Sequence, residues 1–289
     1  NFLLVVQVGI VVTGGAVRLT GSGLGCPTWP ECTPGSYTPV PHQAQGRLHS
    51  WIEFGNRLLT FLVIVAILAA IIGVIKWGRK RSDSKNLAIL AFYQFLGIVA
   101  QIVVGGISVL THLNPFAVGA HFLISILLIA ATVSLRQRML ETKRVDIQPL
   151  AKNFGRSVLA LAFIVINLGV VVTGSGPHAG DEMAKRFHLD PRTISWLHAD
   201  SVIALISLSF GLWILLKATE KKEVRKIAES KIGLFLIVAL AQGVIGYTQY
   251  FTDLPEALVA AHLLGATIVW ATIWNFSYST KLLTKSSNS

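Results

Sequence analysis

Residues 51–77 read Trp51-Ile52-Glu53-Phe54-Gly55-Asn56-Arg57 and then an almost wholly apolar run that closes on Lys76 and Trp77. A hydrocarbon layer about 30 Å thick is crossed by roughly 20 residues of helix, so this stretch is long and apolar enough to span one. Its first two turns also carry a carboxylate, an amide and a guanidinium. Glu53 and Arg57 are spaced i,i+4 and share a face, with Asn56 one step round and within reach of Glu53. An ionisable group just inside a span is costly unless it meets a partner, a cofactor or water. Two readings stay open: an ion pair that snorkels to the interface, or a functional cluster at the mouth of a helix bundle.

The rest of the chain has the same character. It is 53% hydrophobic and 13% charged, with a mean hydropathy of +0.62, values that describe a polytopic membrane protein. Eight spans fit: Phe2–Val17, Trp51–Trp77, Leu87–Leu110, Pro115–Leu135, Ser157–Thr173, Ile194–Leu216, Ile232–Phe251 and Glu256–Tyr278. The first is short and no methionine precedes Asn1, which predicts that this helix starts upstream. No cleavable signal pattern is visible, and none is needed if the first span stays in the membrane. The fold class expected is therefore an all-α polytopic membrane protein of eight transmembrane helices.

A formal net charge of +11 raises the question of nucleic acid, and its distribution answers it. Lys76, Arg79, Lys80, Arg81 and Lys85 lie between spans two and three. Arg136, Arg138, Lys143, Arg144, Lys152 and Arg156 lie between four and five, and Lys217, Lys221, Lys222, Arg225, Lys226 and Lys231 between six and seven. With Lys281 and Lys285 in the tail, nineteen of the 25 basic residues fall on one side. By the positive-inside rule that side is cytoplasmic and holds both termini. The basic charge is topology, and no nucleic-acid partner is expected. The outer half then receives all eight histidines, Glu53, Asp200 and both cysteines, with long outer loops at 18–50 and 174–193. The chemistry is expected near the extracytoplasmic face of a cell membrane.

The chain also repeats itself. Gly9-Ile10-Val11-Val12-Thr13-Gly14 is echoed by Gly169-Val170-Val171-Val172-Thr173-Gly174. Gln101, Gly105 and His121 match Gln242, Gly246 and His262, each 141 residues on. Three matches at one offset, in spans of corresponding order, predict two pseudo-repeated four-helix bundles. Four is an even number of crossings, so the halves share one orientation, unlike the inverted repeats of many transporters. The division expected is an amino-terminal half at 1–140, a cytoplasmic linker at 141–155 and a carboxyl-terminal half at 156–289.

Within that plan His198, in Trp196-Leu197-His198-Ala199-Asp200, and His262, in Ala261-His262-Leu263, sit at similar outer depth in one half. Two imidazoles facing across a four-helix bundle suit a six-coordinate haem iron; the plainer alternative is two hydrogen-bonded interface histidines. In the first half, His121 is matched with an amide, because the position corresponding to His198 falls near Asn56. Asn is a poor iron ligand beside His, so a haem there has one strong axial bond at most, which suits a group that enters and leaves. Cys26 and Cys32, the only cysteines, lie six apart in the outer loop and read most simply as a disulfide, with a redox-active role open. Arg18, Arg47 and Arg57 are candidates to meet carboxylates such as haem propionates, or lipid headgroups. The glycine-rich Thr20-Gly21-Ser22-Gly23-Leu24-Gly25 reads as flexible turns over a ligand mouth, since no soluble helix follows to make a phosphate loop.

One stretch is specific. Thr13-Gly14-Gly15-Ala16-Val17-Arg18-Leu19-Thr20-Gly21-Ser22-Gly23-Leu24-Gly25-Cys26-Pro27-Thr28-Trp29-Pro30-Glu31-Cys32 resembles the first outer loop of the heme A synthases. The Trp51-Ile52-Glu53 helix start, His121, Leu197-His198-Ala199 and His262 then follow in that family's order, and the resemblance covers essentially the whole chain. It implies an oxidoreductase that converts heme O to heme A by oxidising one ring methyl to a formyl group. It further implies a resident haem b with axial ligands His198 and His262. Heme O would bind the first half through His121, with Asn56 and Arg57 around it, Glu53 catalytic beside the methyl, and Cys26–Cys32 as the family's disulfide.

The partners it implies are membrane lipid, a heme O synthase as substrate donor, terminal oxidase assembly as product acceptor, an unidentified electron acceptor, and a possible second copy in a homo-oligomer. Two departures stand out. Many relatives carry histidine where this chain has Asn56, and His49 lies two turns away, roughly 10 Å by helix rise, too far to substitute. The second outer loop, Gly174 to Asp181, lacks the further cysteine pair seen in some relatives. Two rival functions remain: a non-catalytic b-type cytochrome passing electrons from quinol, which needs no acid beside a one-histidine pocket, and a haem transporter, which the parallel repeat disfavours.

Overall fold

The computed structural model describes residues 1–284. The elements are α1 (Phe2–Leu19), α2 (Arg47–Gly73, continued by a wider-wound turn at Val74–Gly78), α3 (Ser84–Leu110), α4 (Pro115–Met139), α5 (Pro149–Ser175), α6 (Pro191–Thr219), α7 (Lys222–Phe251) and α8 (Glu256–Ser279). All eight helices are long and apolar enough to cross a membrane. Among the described residues there is no strand, only an isolated bridge between Thr33 and Ser36. Lys285, counted above with the basic tail, lies outside the described residues.

The helices outrun the apolar spans read from the sequence. α2 begins at Arg47, ahead of Trp51, and α5 begins at Pro149, inside the stretch expected as a linker. α7 begins at Lys222, well ahead of Ile232. Apolar length reports hydrocarbon thickness, whereas helical bonding persists into the interface, where side chains such as Lys222 and Arg225 reach water. Proline marks several starts: Pro115, Pro149 and Pro191 open their helices, and Pro255 caps α8. The first turn needs no N–H from that residue, so proline costs nothing there.

The chain packs as two compact units, Asn1–Thr132 with Val170–Pro191, and Val133–Gly169 with the chain from Arg192 onward. In the first, Leu3, Val63, Ala66, Ile67 and Ile98 of α1, α2 and α3 form a buried cluster. Beside it runs a closed polar chain. Thr132 donates to Gln7 (2.7 Å), Gln7 to Gln94 (2.7 Å), and Gln94 to the Leu128 carbonyl (3.2 Å). An unpaired amide in such surroundings costs a few kcal/mol, so three polar side chains that satisfy one another hold α1, α3 and α4 in register. In the second unit Leu212, Leu216, Ile232, Phe235, Ile273 and Phe276 are fully buried. There the Trp274 indole donates to Ser134 (2.8 Å) and Gln137 to Asn275 (2.7 Å).

The repeat extends into the turns. His112-Leu113, between α3 and α4, and Asp253-Leu254, between α7 and α8, both take the left-handed conformation (φ of 54° and 57°, 59° and 58°). Leu113 donates its N–H to the Ser108 carbonyl and Leu254 to that of Gln249, both at 2.8 Å. Non-glycine residues adopt this region uncommonly, so two such pairs at the 141-residue offset make the hairpins one design used twice.

Candidate functional site

Each unit has its own cluster. In the first, α2 begins where the outer loop returns, and its early turns present Glu53, Asn56 and Arg57. Glu53 is buried. One carboxylate oxygen takes both the Nε and an Nη of Arg57, at 3.2 and 2.6 Å; the other accepts the backbone N–H of Cys26 at 2.6 Å. Arg57 gives its remaining N–H groups to the carbonyls of Cys26 (2.7 Å), Thr28 and Glu31 (both 3.1 Å), and its guanidinium lies over the Trp29 ring. The pair is therefore no snorkelling surface bridge. It binds a loop backbone whose polar groups would otherwise be unmatched at the membrane surface.

Cys26 and Cys32 are disulfide-bonded, as read from the sequence, and the structure buries both fully. Trp29, between them, lies against Gly106 of α3, where a Cβ would meet the indole at 2.5 Å. The loop is thus clamped by the disulfide, by Arg57 and by its seat on α3. His49 is committed elsewhere, its Nδ1 at 2.9 Å from the Ser22 hydroxyl.

Asn56 is oriented by Thr13, whose hydroxyl donates to the amide oxygen at 2.8 Å. That oxygen is the atom an iron would need, and it already accepts a hydrogen bond. His121, on α4, has its Cε1 3.1 Å from where a Cβ of Gly105 would stand. Its Nδ1 is buried and has no hydrogen-bond partner.

The second unit holds His198 and His262 with ring centres 6.4 Å apart and planes at 73°. An iron held axially by two imidazoles has each nitrogen about 2.0 Å away and each ring centre about 1.2 Å further, which puts the ring centres roughly 6.4 Å apart. Both Nδ1 atoms are buried without hydrogen-bond partners, although the Val165 backbone lies within hydrogen-bonding reach of the His198 ring. Each ring rests on a glycine: a Cβ at Gly169 would meet His198 at 3.3 Å, and one at Gly246 would meet His262 at 3.1 Å. Among the described residues no three His, Cys, Asp or Glu side chains gather as a metal cluster. Two imidazoles at this spacing, with no third His, Cys, Asp or Glu gathered beside them among the described residues, suit a metal whose remaining ligands come from a flat macrocycle.

Arg18 has backbone partners: its Nε donates to the His178 carbonyl (2.5 Å) and an Nη to that of Thr173 (2.7 Å), at the end of α5. Sequence reasoning also missed what Arg57 does for the loop carbonyls and what Gln101 and Gln242 do for the histidine helices. For the glutamines the signal was present, since both recur at the histidine offset.

Residues 2–274 match the profile of a family described as cytochrome oxidase assembly protein. Similar curated proteins include a heme A synthase of Geobacillus kaustophilus, 32% identical over 142 residues, which are 47% of this chain and 42% of that protein. One of Lysinibacillus sphaericus is 34% identical over 137 residues, again 47% of this chain and 42% of the relative. One of Listeria welshimeri is 26% identical over 292 residues, covering 94% of this chain and 91% of the relative. The aligned part thus spans less than half the length of the first two and nearly all of the third.

Proposed function

From the premise that this chain belongs to the family of cytochrome oxidase assembly proteins, we propose that it is a heme A synthase, an oxidoreductase that takes heme O to heme A by oxidising a ring methyl to a formyl group. The observation that carries the reading is the imidazole set over its glycines. His198 and His262 are spaced for one iron, and His121 is the same arrangement with a single histidine. We assign His198 and His262 to a resident haem b, and His121 to the iron of the substrate.

The bound haems supply the electron chemistry. The residues of the chain supply position and charge. His121 would hold the iron of the substrate, and Asn56, tied to Thr13 and a poor iron ligand beside histidine, would add no second strong bond, which would favour exchange of substrate and product. Glu53 sits on the same helix one turn from Asn56, fixed by Arg57 and the Cys26 N–H. A carboxylate fixed in that way stabilises positive charge developing at a methyl carbon and accepts the proton released there. The disulfide holds the loop that supplies both the Cys26 N–H and the carbonyls for Arg57, so its role includes keeping Glu53 in place.

The basic face supports an orientation with both termini in the cytoplasm and the clusters near the outer surface. A heme O synthase as donor and an assembling terminal oxidase as acceptor are the partners that fit this reaction. The rival b-type cytochrome accounts for Glu53 and Arg57 as the clamp of the outer loop but leaves the one-histidine cluster around His121 without a task. Extraction of pigment from the purified membrane protein tests the choice: heme O or heme A beside haem b is expected, and haem b alone would overturn it.

A further inference from the structure

Gln101 and Gln242 stand out because they do the same thing in both units. The Gln101 amide donates to the backbone carbonyl of His121 at 3.1 Å, and that of Gln242 to the backbone carbonyl of His262 at 2.5 Å. One turn further along each glutamine's helix is the glycine on which that histidine's ring lies, Gly105 and Gly246. A glutamine and the glycine four residues on therefore grip one histidine at two points, its carbonyl and its imidazole.

A carbonyl is part of the helix backbone, so a bond to it fixes the axial position of the whole helix and not a rotamer. A slip of one residue moves a helical side chain by about 1.5 Å and 100°, whereas metal–ligand distances are held to about 0.2 Å. In apolar surroundings the amide has few other partners, which keeps the bond made. Its neighbours are shaped for it. A Cβ on Gly265 of α8 would stand 1.8 Å from the Gln242 amide oxygen, so that position is open only to glycine while the glutamine keeps its place. In the first unit the Gln101 amide reaches Ser125 as well, at 2.6 Å.

We infer that Gln101 and Gln242 are positioning residues that set the register of the histidine helices α4 and α8, and through it the axial ligation of iron by His121 and His262. This rests on the haem assignment above, and the second unit allows the cleaner test because its haem is resident.

The experiment compares wild-type protein with Gln242→Leu, Gln242→Met and Gly265→Ala by optical and paramagnetic-resonance spectra, redox midpoint potential, haem content and helix content. Gly265→Ala displaces the glutamine without altering it. Gln137→Leu is the control, since it removes an anchor of α8 to α4 that touches no histidine. Loss of one hydrogen bond shifts an equilibrium by about fivefold. Gln242→Leu and Gly265→Ala are expected to raise the high-spin fraction by about that factor and to move the potential, with helix content unchanged. Gln137→Leu is expected to keep the wild-type spectrum. Should Gln242→Leu fail to fold, Gln242→Met preserves volume and reads the same change. Wild-type spectra and potential in the folded Gln242 and Gly265 variants, or an equal change in Gln137→Leu, would overturn the inference. Absence of a His262-dependent low-spin haem from the wild-type protein would instead sink the haem assignment.

Discussion

Replacing Glu53 by glutamine separates its two roles, because the structure gives it one task in the loop and the chemistry gives it another. The carboxylate accepts from Cys26 N–H and from Arg57, and a glutamine oxygen keeps one of those bonds. Arg57 is not stranded, since the carbonyls of Cys26, Thr28 and Glu31 still receive it. Removing one partner of a buried ion pair costs about 3–5 kcal/mol when the other is left uncompensated. With three carbonyls remaining, the cost falls toward the ~1–3 kcal/mol of a single charged hydrogen bond. The loop, the disulfide and the His198–His262 cluster should survive that. Loss of a positioned acid–base group lowers rate by ~10²–10⁴. Glu53→Gln is therefore expected to keep haem b, melt within several degrees of wild type, and accumulate heme O or its half-oxidised alcohol. Pigment chromatography, reduced-minus-oxidised spectra and a thermal melt read the three together. Heme A formed at the wild-type rate would refute the catalytic role, and loss of haem b along with heme A would make Glu53 structural.

His198→Ala and His262→Ala should each abolish the low-spin haem b spectrum, because one imidazole leaves an axial position open; full haem content with an unchanged spectrum would remove both from the ligand set. Cys26→Ser with Cys32→Ser should lower thermal stability by about 2–4 kcal/mol and activity together, since the loop they close carries the partners of Glu53 and Arg57; lost turnover at unchanged stability would instead assign the pair an electron-relay role. Asn56→His should tighten binding of the substrate haem and slow product release, read by a rise in retained heme A after purification; unchanged retention would mean that Asn56 does not face the substrate iron.

The amino-acid sequence by itself determined the membrane architecture. Apolar length, the asymmetric placement of basic residues and the 141-residue repeat are one-dimensional signals; bilayer thickness converts the first directly into spans, and the second carries the orientation proposed above. It also pointed to His121 and His262, which recur at the offset, to His198 at similar outer depth in the same half as His262, and to the cysteine pair, the only two of their type. Only the tertiary structure decided what their partners are. That Arg57 serves loop carbonyls, that Arg18 closes the end of α5, and that Asn56 turns its oxygen to Thr13 all depend on which backbone groups lack partners where segments distant in the chain meet. Hydrogen-bond satisfaction of that kind leaves no period in the sequence, because a carbonyl belongs to every residue alike. The glutamines fall between the two cases: their recurrence was legible, but that each grips a histidine's own carbonyl, a turn from the glycine beneath its ring, emerged only when α3 met α4 and α7 met α8.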